Sequence, residues 1–234
     1  MDFYLRFQKL KKDQTTLSYN ELHDSIEAWA TNYYIPEFEN ELGNIALRDI
    51  KGNRLGPKLS SQDWCISALE GSVKINFKDG TSKVYNFDGS SSKFSVDCSP
   101  YLNLDLGDTK FKISNSEFGE GAAAYNLVPF RSVATDNSTF PLGTVLYIPS
   151  ARGNKVKIGD KELIHDGYFF VADSGGAIKD NHIDVFTGVS HTTEFFPWVG
   201  HKLDSTFKVF IVNDTKIIKI NEIKKPHLLW MGFY

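Results

Sequence analysis

From about Gly52 onward the chain breaks into short β-rich runs, each a few residues long and separated by Gly, Pro, Asn or Asp. Residues 72–77 alternate apolar and polar, Lys78-Asp79-Gly80-Thr81 turns, and residues 83–87 alternate again. An Asp-Gly step between alternating runs predicts a β-hairpin. Further runs of strand length lie at 110–113, 144–148, 168–172, 183–186, 208–212 and 216–220. Many short strands with turn residues between them point to a mainly β chain built on a closed or nearly closed barrel.

One segment reads as helix. Ser18-Tyr19-Asn20-Glu21 has the Ser-x-x-Glu form of a capping box, Leu22, Ile26, Trp29 and Tyr33 then recur on one helical face, and Pro36 ends the pattern. The 234 residues therefore divide into an N-terminal helical segment (1–50), a β-rich region (51–131) that packs on or completes the barrel, and the barrel core with its C-terminal strand (132–234).

Composition removes several function classes. A formal net charge of −3 argues against a nucleic-acid groove, which needs a basic face to neutralise phosphates. No run approaches the roughly 20 apolar residues of a membrane span. Two Cys are too few for a disulfide-stapled scaffold or a four-thiolate zinc site. The first residues, MDFYLRFQKLKKDQ, lack the apolar stretch of a secretory leader, so export by another route or earlier removal of a leader is expected.

The chemistry concentrates in Val171-Ala172-Asp173-Ser174-Gly175-Gly176-Ala177-Ile178-Lys179-Asp180-Asn181-His182-Ile183-Asp184-Val185-Phe186. An apolar strand ends at Asp173, a Ser-Gly-Gly turn follows, and a second strand begins near Ile183. The turn leaves two carboxylates at neighbouring strand ends, facing one cleft. A third, Asp136, precedes the turn Phe140-Pro141-Leu142-Gly143-Thr144. Asp in such settings is usually a turn-former or cap.

This run resembles the three-aspartate ("3D") domain of the membrane-bound lytic transglycosylase A type. The pattern A-D-T-G-G-A-I-K-G-x-x-I/F-D-x-Y/F fits from Ala172 to Phe186, and A-x-D followed by I-P-L-G-T fits Ala134-Thr135-Asp136 and residues 140–144. The chain departs from it at Ser174, where Thr is usual, and at Asp180, where Gly is usual. Asp is among the better tolerated non-glycine residues at positive φ.

The resemblance implies a double-psi β-barrel with a cleft for peptidoglycan glycan strands. It implies cleavage of the MurNAc–GlcNAc β-1,4 bond with formation of 1,6-anhydro ends, with Asp184 as catalytic acid and then base, and Asp173 and Asp136 lining or ordering the site. Unlike ordinary glycosidases, one carboxyl serves both steps. Such an acid needs a pKa well above the usual 3.9 or so, from burial and nearby like charge. Expected glycan contacts are Ser174, Gly175, Lys179, Tyr125 and Trp198, with Phe195, Phe196 and Trp64 as further aromatic candidates. No cofactor is implied, and the envelope or periplasm follows from the substrate.

Other readings stand beside it. A glycan-binding or wall-loosening barrel without catalysis, or a hydrolytic muramidase, carries the same cleft. Cys65 as nucleophile would need His165, His182, His191 or His201 as base, and its surroundings match no nucleophile pattern; it is equally a buried apolar residue or the partner of Cys98. His182, Asp184 and His191 lack zinc-ligand spacing, so no metal site is expected. Glu70 reads as a second acidic group across the cleft or, the favoured reading, as an exposed residue leading into the following strand.

Overall fold

The computed structural model describes residues 25–40, 43–189, 196–200 and 205–221. In chain order the elements are β1 (Ser25–Ile35), β2 (Glu37–Glu39), β3 (Ile45–Arg48), β4 (Arg54–Leu59), α1 (Ser61–Glu70), β5 (Ser72–Asn76), β6 (Ser82–Ser90) and β7 (Thr109–Ile113). They continue with β8 (Ser132–Thr135), β9 (Val145–Tyr147), β10 (Lys155–Ile158), β11 (Lys161–Ile164), β12 (Tyr168–Asp173), β13 (His182–Val189), β14 (Phe207–Ile211) and α2 (Thr215–Asn221).

Six strands close into a barrel in the order β1-β13-β8-β12-β9-β14. The pairs β1–β13 and β8–β12 are parallel and the other contacts antiparallel, giving the double-psi arrangement. The interior is apolar: Ala28 and Ala30 of β1, Val133, Leu146, Phe169, Val171, Ile183, Val185 and Val209 are all buried there. Because side chains alternate along a strand, the neighbours Trp29, Thr31 and Tyr33 on β1 and His182, Asp184 and Phe186 on β13 project from the opposite, outer face.

The helix expected through Leu22, Ile26, Trp29 and Tyr33 is corrected from Ser25 onward, where the chain is strand; Leu22 and the Ser18–Glu21 box lie outside the described residues. Two small inward alanines flanking outward aromatics fit a pleated strand, and pairing with β13 and β14 on both sides outweighs a weak helical period. Residues 216–220, expected as strand, form α2 instead. Asp214 caps it, its Oδ1 accepting from Ile217 N–H at 3.0 Å, and buried Ile217 packs onto the barrel.

A second core lies beside the barrel, where α1 covers the sheet β2-β5-β6-β7 and the β3–β4 ribbon. The hairpin expected over 72–87 is present as β5 and β6. Ser60 caps α1 by accepting from Asp63 N–H (3.1 Å), and Gly71 ends it in the left-handed conformation, φ 69°. Cys65 and Cys98 form a disulfide that ties α1 to the loop between β6 and β7, which removes the cysteine nucleophile.

Candidate active site

Asp184 and Thr31 are register partners on the parallel strands β13 and β1. The Thr31 hydroxyl donates to Asp184 Oδ1 at 2.7 Å and lies 2.8 Å from His182 Nε2. One rung along, His182 stacks flat on its own register partner Trp29, ring centroids 3.7 Å apart and planes 5° from parallel. Burial pushes the Asp184 carboxyl up to about 6; the Thr31 hydrogen bond opposes this and the charge of Asp173 adds to it. Burial also lowers the His182 imidazole below its ordinary value.

Asp173 ends β12 next to this ladder. Its Oδ1 accepts from the backbone N–H of Ala122 (2.9 Å) and Ser174 (2.8 Å), and its Oδ2 from the Tyr33 phenol (3.2 Å). Burial raises Asp173 to about 6 in spite of these three donors. Tyr33 is held well above the ordinary phenol value by burial and by the charges of Asp173 and Asp184. The loop reaching Ala122 passes so close that a Cβ on Gly121 would sit 2.4 Å from the Ala172 carbonyl oxygen, so only glycine fits there.

Asp136 stands apart at the rim. Its Oδ1 accepts from Ser138 N–H and Oγ–H, and its Oδ2 from Asp180 N–H at 3.0 Å, which together lower it to about 2. It therefore clamps the turn carrying Lys179 and does not hydrogen-bond Asp173 or Asp184. Asp180 adopts φ 55°, the left-handed conformation anticipated from the glycine of the motif.

A further acid belongs to the site. Glu70, for which the exposed strand-leading reading is favoured over a second acid across the cleft, is half-buried at the C-terminal end of α1, where its Oε2 accepts from Tyr34 N–H at 3.2 Å. Burial raises it to about 7, with the charge of Asp184 adding to the effect. The cap Ser60, the first-turn Asp63 and the left-handed Gly71 are the signals from which this helix and its end are readable.

Ser174, Gly175 and Lys179 are exposed on the turn beside the carboxyls. Tyr125 is half-buried, edge-on to Phe170 at 5.1 Å, on the loop that meets Asp173. Trp198, partly buried, packs against the barrel core, stacked on Phe196 (4.9 Å) and against Phe207 (4.4 Å), and Trp64 of α1 is buried in the second core. His165 is buried: Gly167 N–H donates to its Nδ1, so Nε2 donates to the Phe130 carbonyl, and burial lowers its pKa to about 3. Phe195, His191 and His201 lie outside the described residues.

Residues 131–196 match the 3D domain family. The chain is 35% identical over 81 residues to the membrane-bound lytic murein transglycosylase A of Vibrio cholerae, a stretch covering 34% of this chain and 21% of that relative. It thus spans about a fifth of the length of the curated relative it matches. Among solved structures it resembles E. coli MltA with bound chitohexaose (TM-score 0.56, 18% identity, 79% of this chain and 71% of that one). It also resembles the membrane-bound lytic murein transglycosylase of Agrobacterium tumefaciens (TM-score 0.56, 13% identity, 80% and 75%). At these identities the structural likeness establishes the double-psi fold.

Proposed function

We propose that this protein is a peptidoglycan lytic transglycosylase, with Asp184 as its single acid–base residue. The observation that carries the reading is the state of that carboxyl: half-buried, beside a second buried acid, and raised to about 6. At pH 6 about half of the molecules then hold the proton needed at the glycosidic oxygen. The named activity of the Vibrio cholerae relative supports the reaction class, and the chitohexaose bound to E. coli MltA supports a glycan as ligand.

In this reaction Asp184 gives its proton to the leaving oxygen of the MurNAc–GlcNAc bond. The resulting carboxylate takes the proton of the muramic acid C6 hydroxyl as that oxygen closes on C1, so a 1,6-anhydro ring forms, no water is consumed, and Asp184 ends protonated again. Asp173 keeps the site electronegative, which favours the protonated form of Asp184 at the start. Asp136 acts on the rim turn and not on the bond, and Lys179 on that turn is offered to the lactyl or stem-peptide carboxylate. Ser174 and Gly175 provide backbone and hydroxyl contacts to the sugars, with Tyr125 alongside; Trp198 serves the barrel core.

The envelope is the compartment this reading requires. The Cys65–Cys98 disulfide fits an oxidising environment, and the relative's name describes it as membrane-bound. Among the described residues no helix is long and apolar enough to cross a membrane.

Mass spectrometry of material released from purified sacculi tests the reaction. Anhydro-muropeptides are expected. New reducing ends would instead make the protein a muramidase, and glycan binding without soluble product would make it a non-catalytic wall module.

A further inference from the structure

The outer face of the β1–β13 ladder carries two polar rungs in a row, Trp29 with His182 and Thr31 with Asp184. We propose that His182 is a positioning residue for Asp184, acting through the Thr31 hydroxyl to leave the acid proton on a defined carboxyl oxygen. This deepens the assignment of Asp184 as the acid and rests on it.

The hydrogen inventory dictates the arrangement. A threonine hydroxyl has one proton, and Thr31 gives it to Asp184 Oδ1 at 2.7 Å. The contact of 2.8 Å between Thr31 Oγ1 and His182 Nε2 is then a hydrogen bond only if Nε2 carries the hydrogen and Oγ1 accepts it. The neutral imidazole is therefore the Nε2–H tautomer. The flat stack on Trp29 fixes the ring plane, so the donor stays aimed at Oγ1. With Oδ1 occupied as an acceptor, the proton of neutral Asp184 sits on Oδ2, which makes no hydrogen bond among the described residues.

Without His182, the Thr31 hydroxyl is free to turn and accept from a proton on Oδ1. The acid then spends part of its time protonated on the wrong oxygen. The chain His182 Nε2–H to Thr31 Oγ1–H to Asp184 Oδ1 also favours the ionised carboxyl, so breaking it raises the pKa of Asp184. The remaining titratable groups around Asp184 are Tyr33 on β1, Asp173 on β12 and Glu70 at the end of α1; none of them touches His182 through a hydrogen bond.

The test combines NMR with kinetics. In the unsubstituted protein at pH 8, the 15N shifts of His182 are expected to report Nε2–H; an Nδ1–H tautomer overturns the proposal without any variant. His182→Phe keeps a flat ring on Trp29 and removes the donor. The 13C titration of Asp184 is expected to move up by about 0.5–1 pH unit, the conversion of one hydrogen bond. The alkaline limb of the kcat profile is expected to move with it, and kcat to fall about 10-fold with KM little changed. His182→Gln, which restores an N–H, is expected to reverse part of both effects.

A loss of activity with an unmoved Asp184 titration would make His182 merely structural and overturn the proposal. Should His182→Phe not fold, His182→Leu decides: the Asp184 titration must rise there too, with Thr31 in place. Because the tautomer and titration are read without substrate, a failure of the transglycosylase reading in the sacculus digest is seen separately.

Discussion

Tyr33 of β1 donates its phenol proton to Asp173 at the end of β12, across 3.2 Å. The bond joins a strand near the N-terminus to the aspartate that opens the motif loop, and it lies one rung beyond Thr31 and Asp184 on the same outer face. Tyr33→Phe removes a donor to the charged form of Asp173. The pKa of Asp173 is expected to rise above about 6, and stability to fall by about 1 kcal/mol, as for a buried hydrogen bond. Carboxyl 13C titration and thermal unfolding check the two effects; an unchanged Asp173 titration would mean the phenol does not bind it.

Buried carboxyls leave a mark on stability against pH. Asp184 is raised to about 6, so the folded state holds this proton to higher pH than the unfolded chain. Its favourable contribution is complete below about pH 4 and is lost as pH rises to and through about 6. Asp184→Asn removes the titration. Relative to the parent, the variant is expected to gain about 1–3 kcal/mol between pH 4 and pH 8 in denaturant unfolding. A difference that stays flat over this range would show that the carboxyl is not raised.

Glu70 gives a parallel case at a different element. Glu70→Gln keeps an acceptor for the Tyr34 amide and removes a half-buried charge raised to about 7. Little change is expected at pH 5, where the glutamate is already neutral, and a gain of about 1 kcal/mol at pH 8. Destabilisation at both pH values would place the side chain in a charge-requiring contact instead.

The barrel was legible where its signals are local. The apolar run before Asp173 produces the barrel strand β12 nearly as expected, and the alternation over 72–87 produces β5 and β6 of the sheet beside the barrel. Asp173 and Asp184 come together because the motif loop returns β13 beside the end of β12, with β8 between them. What escaped is set by distant pairing. Ser25–Ile35 is a strand because β13 and β14 flank it, and only there do Thr31 and Tyr33 meet the two aspartates. Residues 216–220 are rich in Ile and read as strand, yet Asp214 caps them into a helix. For Glu70 the strand-leading reading wins over the cleft-acid one only while α1 is missed; Ser60, Asp63 and Gly71 mark that helix and its end.

The disulfide makes a prediction away from the site. Reduction of Cys65–Cys98 is expected to add the mass of two hydrogens and to lower stability by about 2–4 kcal/mol. Because the bridge anchors α1, and α1 ends at Glu70, reduction is expected to increase amide exchange along residues 61–71. Exchange unchanged on reduction would show that packing alone holds the helix.

The direct measurement of the central claim is the rate of anhydro-muropeptide release from sacculi by Asp184→Asn beside the parent protein. The amide cannot give up a proton to the glycosidic oxygen, so release is expected to fall by about 10²–10⁴-fold while the unfolding temperature at pH 7 stays the same or rises. Release at the parent rate from a folded Asp184→Asn protein would contradict the role of this carboxyl and the mechanism built on it.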